Sequence, residues 1–141
     1  MKKFIIISGP CVVESKELLQ TCCKTLKEEC DKLNFEFIFK SSYKKANRTS
    51  INSFTGLGGD IALRYLAEVS EEFSTPVITD IHTSDEAFKA AEFVDCLQIP
   101  AFLSRQTELL IAAGKTGKTV NIKKGQFLRS EEHTSELQSQ R

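Results

Sequence analysis

Four cations crowd a short stretch early in the chain, and their spacing could hold an anion. Lys40, Lys44, Lys45 and Arg48 are interleaved with small hydroxyls and an amide. Directly before them, the apolar and aromatic residues 35–39 predict a buried strand. A basic, hydroxyl-rich loop at the carboxyl end of a buried strand is a typical phosphate or carboxylate site in an α/β protein. A solvated basic loop explains the same residues, so both interpretations stay open at this point.

Polar side chains end or follow the other four apolar runs in the same way. They are Cys11 after residues 4–7, Asp80 and His82 at the end of residues 76–81, Gln98 within residues 96–99, and Lys123 and Lys124 after residues 119–122. Because every run delivers polar residues at the same end, the sequence predicts a site assembled from several loops.

Four segments between these runs have helical periodicity. They cover residues 15–33, about 60–73, about 84–93 and about 104–113. Ser15 is a good N-cap for the first helix, and Thr83 and Glu86 have the spacing of a capping box that opens the third. Strands and helices that alternate in this way predict a parallel sheet with helical crossovers.

The predicted fold is α/β and is the N-terminal part of a TIM (β/α)8 barrel, with about four βα units and a fifth strand. An open doubly wound sheet would gather its polar residues at one switch point, whereas here they follow every strand. No glycine-rich nucleotide fingerprint follows the first strand. A whole barrel needs about 250 residues, whereas this chain has 141. We therefore expect a truncated barrel with two unpaired edges.

Residues 129–141 differ abruptly in composition from the rest of the chain. They hold one apolar residue, Leu137, and show no strand or helix period. The stretch RSEEHTSELQS within them resembles the conceptual translation of a sequencing-adapter oligonucleotide. We therefore expect a partial barrel over residues 1–128 and a non-native, disordered tail over residues 129–141, so that His133 takes no part in the site.

Composition limits the classes of partner. The formal net charge is +0 at pH 7, which gives no general electrostatic case for nucleic acid or an anionic membrane. No apolar run approaches the roughly 20 residues of a membrane span. The apolar run after Met-Lys-Lys is too short for a secretory signal, so we expect a cytoplasmic protein. The five cysteines lack a paired zinc pattern, and we expect Cys22, Cys23 and Cys30 to lie on the buried face of the first helix.

Five motifs at the five strand ends together resemble one family. They are GPCVVES at 9–15, FKSSYKKANRTS at 39–50, ITDIH at 78–82, QIPAFLSRQT at 98–107 and NIKKGQF at 121–127. From residue 1 to about residue 128 the chain resembles the N-terminal half of 3-deoxy-D-manno-octulosonate 8-phosphate synthase. The related 3-deoxy-D-arabino-heptulosonate 7-phosphate synthase usually carries a K-P-R-T-S loop. This chain has KANRTS at residues 45–50 instead, which favours the octulosonate enzyme.

The resemblance implies a transferase that condenses phosphoenolpyruvate with D-arabinose 5-phosphate and water and releases phosphate, a step in making a lipopolysaccharide sugar. Full-length members commonly form homotetramers. Two alternatives stay open: the heptulosonate synthase, which takes erythrose 4-phosphate, and a non-enzymatic half-barrel that binds anions or pairs with another chain. Because half of the barrel would be missing, we expect no synthase activity from the 141 residues alone.

The resemblance also implies roles for the cations and amides of these motifs. Lys45 would bind the aldose near the reacting carbonyl. The arabinose phosphate or its hydroxyls would be held by Asn47, Arg48 and Ser50. Phosphoenolpyruvate would be held by Lys40, Arg105 and Lys123, because several cations must converge on two phosphorylated substrates. Of these residues, Lys45 and Asn47 would take part in catalysis.

The remaining predicted residues would form the walls of the same pocket. Asp80 and Gln98 would order its polar floor, with Asp80 also catalytic, and Pro100, Ala101 and Phe102 would shape one side. The alternative for Asp80 is a helix cap or an ion-pair partner at the strand end. Lys124 points opposite to Lys123 on an extended chain, so we leave it out of the site.

Cys11 determines the subclass that the resemblance implies. The family has metal-dependent and metal-independent forms, and the dependent form has Cys where the other has Asn. A thiolate suits a divalent zinc, iron or manganese ion, zinc and iron best because they are borderline-soft; a buried, inert thiol is the alternative. The other metal ligands of the family, a His, a Glu and an Asp, would lie beyond this chain. His82 is not expected to replace them; it is either a structural histidine near the rim or a direct substrate ligand.

Overall fold

The structure is a computed structural model that describes residues 4–45 and 57–129. Its strands are β1 (Ile5–Ser8), β2 (Glu36–Lys40), β3 (Val77–Asp80), β4 (Cys96–Ile99) and β5 (Thr119–Ile122). Its helices are α1 (Lys16–Lys32), α2 (Gly59–Phe73), α3 (Ser84–Ala91) and α4 (Thr107–Lys115), with a 3-10 turn at Ala101–Leu103. No helix in these two ranges is long and apolar enough to cross a membrane.

The five strands form one parallel sheet in the order β1-β2-β3-β4-β5. Each strand therefore pairs with its neighbours in sequence, and a helix covers each connection. This order is that of a barrel wall, whereas a doubly wound sheet reverses direction at a switch point. The prediction of a partial (β/α)8 barrel, with four βα units and a fifth strand, is confirmed.

The register divides the strand side chains into two faces. Phe39 and Val77 are paired, as are Leu97 and Val120, and all four lie in the cluster of side chains packed under the helices. Because side chains alternate along a strand, the opposite, concave face carries Lys40, Asp80, Gln98 and Asn121. In the register Asp80 pairs with Gln98, and Gln98 with Asn121. The apolar layer thus holds the helices on one side while polar side chains share the other.

The helices follow the sequence pattern with small differences. Ser15 caps α1, its hydroxyl accepting from the Leu18 amide at 3.1 Å. Of the three cysteines predicted to be buried on α1, Cys23 and Cys30 are buried, whereas Cys22 is half-buried at the edge of the core.

Two expectations about element limits are wrong. The helix predicted from Ser104 begins at Thr107, because Pro100 opens a 3-10 turn whose carbonyl accepts from the Leu103 amide at 2.9 Å. That helix also passes through Gly114 and ends at Lys115. The first strand lies at one of the two expected unpaired edges of the sheet, where Ile5 is 56% exposed.

Candidate active site

A cavity of about 500 Å³ lies at the carboxyl ends of the strands. Nine of the residues predicted for the site line it: Cys11, Lys40, Lys45, Asp80, Gln98, Pro100, Ala101, Phe102 and Lys123. Lys44, His82 and Gln126 line it as well. The cavity therefore brings together side chains from the ends of all five strands, as the pattern of strand ends predicts.

Asp80 lies at the centre of the polar floor. Its Oδ2 accepts from Lys40 Nζ at 3.1 Å and from Ser42 Oγ at 2.5 Å, and its Oδ1 accepts from Gln98 Nε2 at 2.5 Å. Burial by itself raises the pKa of Asp80, but the hydroxyl, the ammonium and the amide together outweigh it and hold that pKa below its ordinary value. Asp80 is therefore ionised at neutral pH, where it orients its donors.

The amide of Gln98 links this carboxylate to the fifth strand. Gln98 uses its Nε2 on Asp80, which leaves its Oε1 to accept from Asn121 Nδ2 at 2.9 Å. Neither Asn121 nor Ser42 was predicted for the floor. Asn121 could have been predicted from the sequence, because it stands two residues before Lys123 and therefore lies on the same face of an extended strand. Ser42 stood in the predicted basic loop, but nothing in the sequence distinguished it from the adjacent Ser41.

Backbone and side-chain contacts fix the loops that carry the cations. Thr79 Oγ1 donates to the Ser41 carbonyl at 2.8 Å and accepts from the Tyr43 amide at 3.1 Å. The Val13 amide donates to the Ser42 carbonyl at 3.0 Å, which joins the loop after β1 to the loop after β2. These bonds place Cys11 and Lys45 at the same rim.

Cys11 is exposed at that rim, and its thiol faces a cation. A hydrogen bond with Lys45 is the largest cause of a lowered pKa for Cys11, although partial burial opposes it. Lys45 Nζ also lies 3.5 Å from Ser42 Oγ, at the edge of the Asp80 network. The ammonium group of Lys45 therefore favours the thiolate form of Cys11.

A second cluster surrounds Glu86, which was predicted only as part of a helix cap. Its Oε2 accepts from the His82 amide at 2.9 Å and lies 3.2 Å from His82 Nδ1. Its Oε1 pairs with Lys44 Nζ, and the Tyr43 hydroxyl donates to the same carboxylate. Thr83 caps the helix as expected, accepting from the Glu86 amide at 3.4 Å.

Comparison with known proteins identifies the family of this chain. A family model described as the DAHP synthetase I family matches residues 1–139. The chain belongs to the DAHP synthetase I family.

Individual relatives show which enzyme within the family the chain resembles. The chain is 54% identical over 127 residues to a 2-dehydro-3-deoxyphosphooctonate aldolase of Fusobacterium nucleatum, a match over 90% of this chain and 46% of the relative. It is 57% identical over 128 residues to the protein of that name in Campylobacter jejuni subsp. doylei, over 91% of this chain and 48% of the relative. The name is a synonym of 3-deoxy-D-manno-octulosonate 8-phosphate synthase, so the predicted resemblance is confirmed. The chain spans about half the length of the curated relatives it matches.

Four residues predicted from the resemblance to the octulosonate synthase are not among those that the structure describes at the cavity. Asn47, Arg48 and Ser50 lie outside the described residues. Arg105 is exposed in the turn before α4 and does not line the cavity. Their roles stay predictions. Lys124, left out of the predicted site, donates to the Gly125 and Leu128 carbonyls instead.

The resemblance to the metal-dependent synthases implies a divalent metal ion. Cys11 is the one residue predicted as its ligand in this chain. Cys11 offers a thiol at the rim with a lowered pKa, which is the chemistry that a zinc or iron ion prefers. Within residues 4–45 and 57–129, however, no three His, Cys, Asp or Glu side chains are close enough to hold a metal ion. These residues do not by themselves make a metal site.

Proposed function

We propose that this chain is the phosphoenolpyruvate-binding and sugar-phosphate-binding part of a 3-deoxy-D-manno-octulosonate 8-phosphate synthase. The observation that carries the proposal is the cavity, where side chains of five strand ends meet in a chain more than half identical to relatives of that name. The reaction would join phosphoenolpyruvate to D-arabinose 5-phosphate with water and release phosphate.

Charge at the cavity supports two phosphorylated substrates. Lys40 and Lys45 line it from the end of β2 and the loop after it, and Lys123 lines it from the loop after β5. Lys40 is partly neutralised by Asp80. Phosphate and carboxylate groups bind best where several donors converge from fixed positions. A surplus of ammonium groups over carboxylates on this wall favours an anionic ligand over a neutral sugar.

Proton chemistry assigns different roles to Asp80 and Lys45. Because Asp80 is ionised, it can accept a hydrogen bond or a proton but cannot act as an acid. Lys45 stands near Ser42 and Cys11 at the rim, where its ammonium can donate to a carbonyl or phosphate oxygen. We infer that Lys45 polarises the aldose carbonyl while Asp80 and Gln98 hold the floor beneath it.

Cys11 would contribute one thiolate ligand to a divalent zinc, iron or manganese ion in the whole protein. Its position on the rim beside Lys45 is compatible with that role, because a cation lowers the cost of losing the thiol proton. When bound, the metal would supply Lewis-acid assistance at the site.

The second candidate is 3-deoxy-D-arabino-heptulosonate 7-phosphate synthase, which the description of the family model favours. It would use the same cations on phosphoenolpyruvate but take erythrose 4-phosphate as the acceptor. The two aldoses differ in length by one carbon, so the acceptor separates the two candidates.

A chimera tests the proposal directly. Residues 1–128 of this chain would be joined to the part of the Campylobacter jejuni relative that lies beyond its match. Phosphate release would be measured with phosphoenolpyruvate and each aldose. We expect turnover with arabinose 5-phosphate that exceeds turnover with erythrose 4-phosphate at least about tenfold, which requires about 1.4 kcal/mol of discrimination.

Two controls belong to this test. The Lys45→Met chimera should lose activity by two orders of magnitude or more, on the scale of about 10²–10³ for one electrostatic donor. The Lys89→Met chimera alters an exposed ion pair with Asp60 away from the cavity and should stay active. A folded chimera with preference for erythrose 4-phosphate supports the second candidate, and one inactive with both aldoses contradicts both.

A further inference from the structure

Glu86 is a nearly buried carboxylate with four donors around it. Its side chain is 14% exposed. One oxygen faces Lys44, and the other faces both the amide and the ring of His82. The Tyr43 hydroxyl completes the set. Burial alone raises the pKa of Glu86, but these donors outweigh burial and lower it, so the carboxylate is ionised at neutral pH.

Helix capping does not account for this arrangement. In a capping box the carboxylate returns to the amide of the N-cap residue, which here is Thr83. Glu86 bonds instead to the amide one residue earlier and to the ring of the same residue, His82. The carboxylate therefore lies toward the cavity rim.

The ring of His82 is fixed on two sides. Its Nδ1 lies 3.2 Å from Glu86 Oε2, and its face stacks on Phe102 with ring centroids 6.5 Å apart and planes at 28°. An ionised carboxylate can only accept, so Nδ1 must carry the hydrogen. In the neutral imidazole the other nitrogen, Nε2, is then an unprotonated acceptor. His82 lines the cavity, and Nε2 is the ring nitrogen left for a ligand there.

We propose that Glu86 is a positioning residue that holds His82 in the Nδ1–H tautomer, with Nε2 offered to the cavity as an acceptor for a hydroxyl or a water molecule. The ligand's identity rests on the proposed function, in which sugar hydroxyls and a reacting water molecule both occupy the cavity. The tautomer itself does not rest on that function.

Nitrogen NMR of the 141-residue chain tests the tautomer without any ligand. The sequence has two histidines, so a His133→Gln background leaves one ring to observe. Long-range proton–nitrogen spectra at about pH 8 distinguish protonated from bare ring nitrogens. We expect Nδ1–H to exceed Nε2–H at least about tenfold, because hydrogen bonds to charged acceptors are the strong ones.

Three variants separate positioning from general structure. Glu86→Ala should invert the ratio toward Nε2–H, and Glu86→Gln should give an intermediate ratio, since the four donors then compete for one oxygen. Lys44→Met should leave the ratio unchanged, because Lys44 contacts the other carboxylate oxygen. Backbone amide spectra report whether each variant is folded. If Glu86→Ala is not folded, the tautomer ratio of Glu86→Gln alone tests the role of Glu86.

The proposal is overturned if the unmodified ring is mainly Nε2–H, or if both Glu86 variants keep the original ratio. Titration of the same sample with phosphoenolpyruvate and then arabinose 5-phosphate addresses the proposed function separately. Movement of the Nε2 resonance on binding supports an acceptor facing the ligand, and binding that leaves this resonance unmoved contradicts it. If the chain binds neither compound, the proposed function fails and the ligand assignment fails with it, whereas the tautomer ratio still decides the role of Glu86.

Discussion

Lys40 Nζ lies 3.1 Å from Asp80 Oδ2, although the two residues are 40 positions apart in the sequence. Their side chains are 20% and 12% exposed, so water screens the pair only partly. The pair joins the end of β2 to the end of β3 beneath the cavity. It serves the fold and the candidate site at once, because the same ammonium and carboxylate line the cavity.

Asp80→Asn should therefore lower stability at pH 7, by about 2 kcal/mol, since Lys40 loses its charged acceptor. The lowered pKa fixes the pH range of the effect. A carboxylate of this kind contributes stability that is fully present above its unfolded pKa of about 4 and is lost as pH falls through the folded value. Urea unfolding of both proteins between pH 7 and pH 3 should show the difference shrinking below about pH 4.

The matched control is Asp60→Asn, which removes an exposed partner of Lys89. Surface pairs contribute about 0–1 kcal/mol, so its pH profile should overlay that of the unmodified chain. Equal pH profiles for Asp80→Asn and the unmodified chain would contradict the role given to Asp80.

Substitution by alanine should have opposite effects on stability at Gly9 and at Gly114. A Cβ at Gly9 would overlap the Lys40 carbonyl oxygen and lie 3.0 Å from Phe39 Cε2, so the loop before Cys11 must move. We expect Gly9→Ala to cost about 3 kcal/mol or more. Gly114 lies in α4 with nothing within 4 Å of its Cβ position, so alanine should stabilise the chain by about 0.5–1 kcal/mol. Thermal unfolding of the two variants checks both signs.

Cys11 should be the cysteine that alkylates first at neutral pH. Lys45 lowers the pKa of its exposed thiol, whereas burial raises the pKa of Cys23 to about 12 and also raises that of Cys96. With chelator present, iodoacetamide labelling followed by peptide mass spectrometry should find Cys11 modified several-fold faster than either. Lys45→Met should remove most of that advantage at about pH 7 and little of it near pH 10, where the thiol is ionised in both proteins. An unchanged rate in Lys45→Met would contradict the contact.

The fold could be predicted because its information is local. Each strand is a short apolar run, each of the first four is followed by a helical stripe, and that alternation specifies a parallel sheet. The start of α4 was predicted wrongly because tertiary context decides it. Periodicity cannot show that Pro100 would open a 3-10 turn and delay α4 to Thr107.

Only the part of the candidate site that lies at the strand ends could be predicted from the sequence. Cys11, Asp80 and Lys123 stand at those ends, and the structure places them around one cavity. Asn121 and Glu86 were missed, because one looked like an ordinary strand residue and the other like half of a helix cap. Their contacts depend on which neighbours the register and the β2 loop bring to them.

Asn121 and Gln98 should be energetically coupled, since Asn121 Nδ2 fixes the Gln98 amide that in turn faces Asp80. Asn121→Ala removes the donor to the buried Gln98 Oε1 and should cost about 1 kcal/mol, and Gln98→Ala should cost more because Asp80 loses a donor. If Asn121, Gln98 and Asp80 act as one hydrogen-bonded chain, the double variant Asn121→Ala/Gln98→Ala should lose less stability than the two single variants together. We expect the difference to be about 0.5 kcal/mol or more. Urea unfolding of the four proteins gives this coupling. Strict additivity would mean that Gln98 keeps its orientation, and with it the hydrogen bond to Asp80, without help from Asn121.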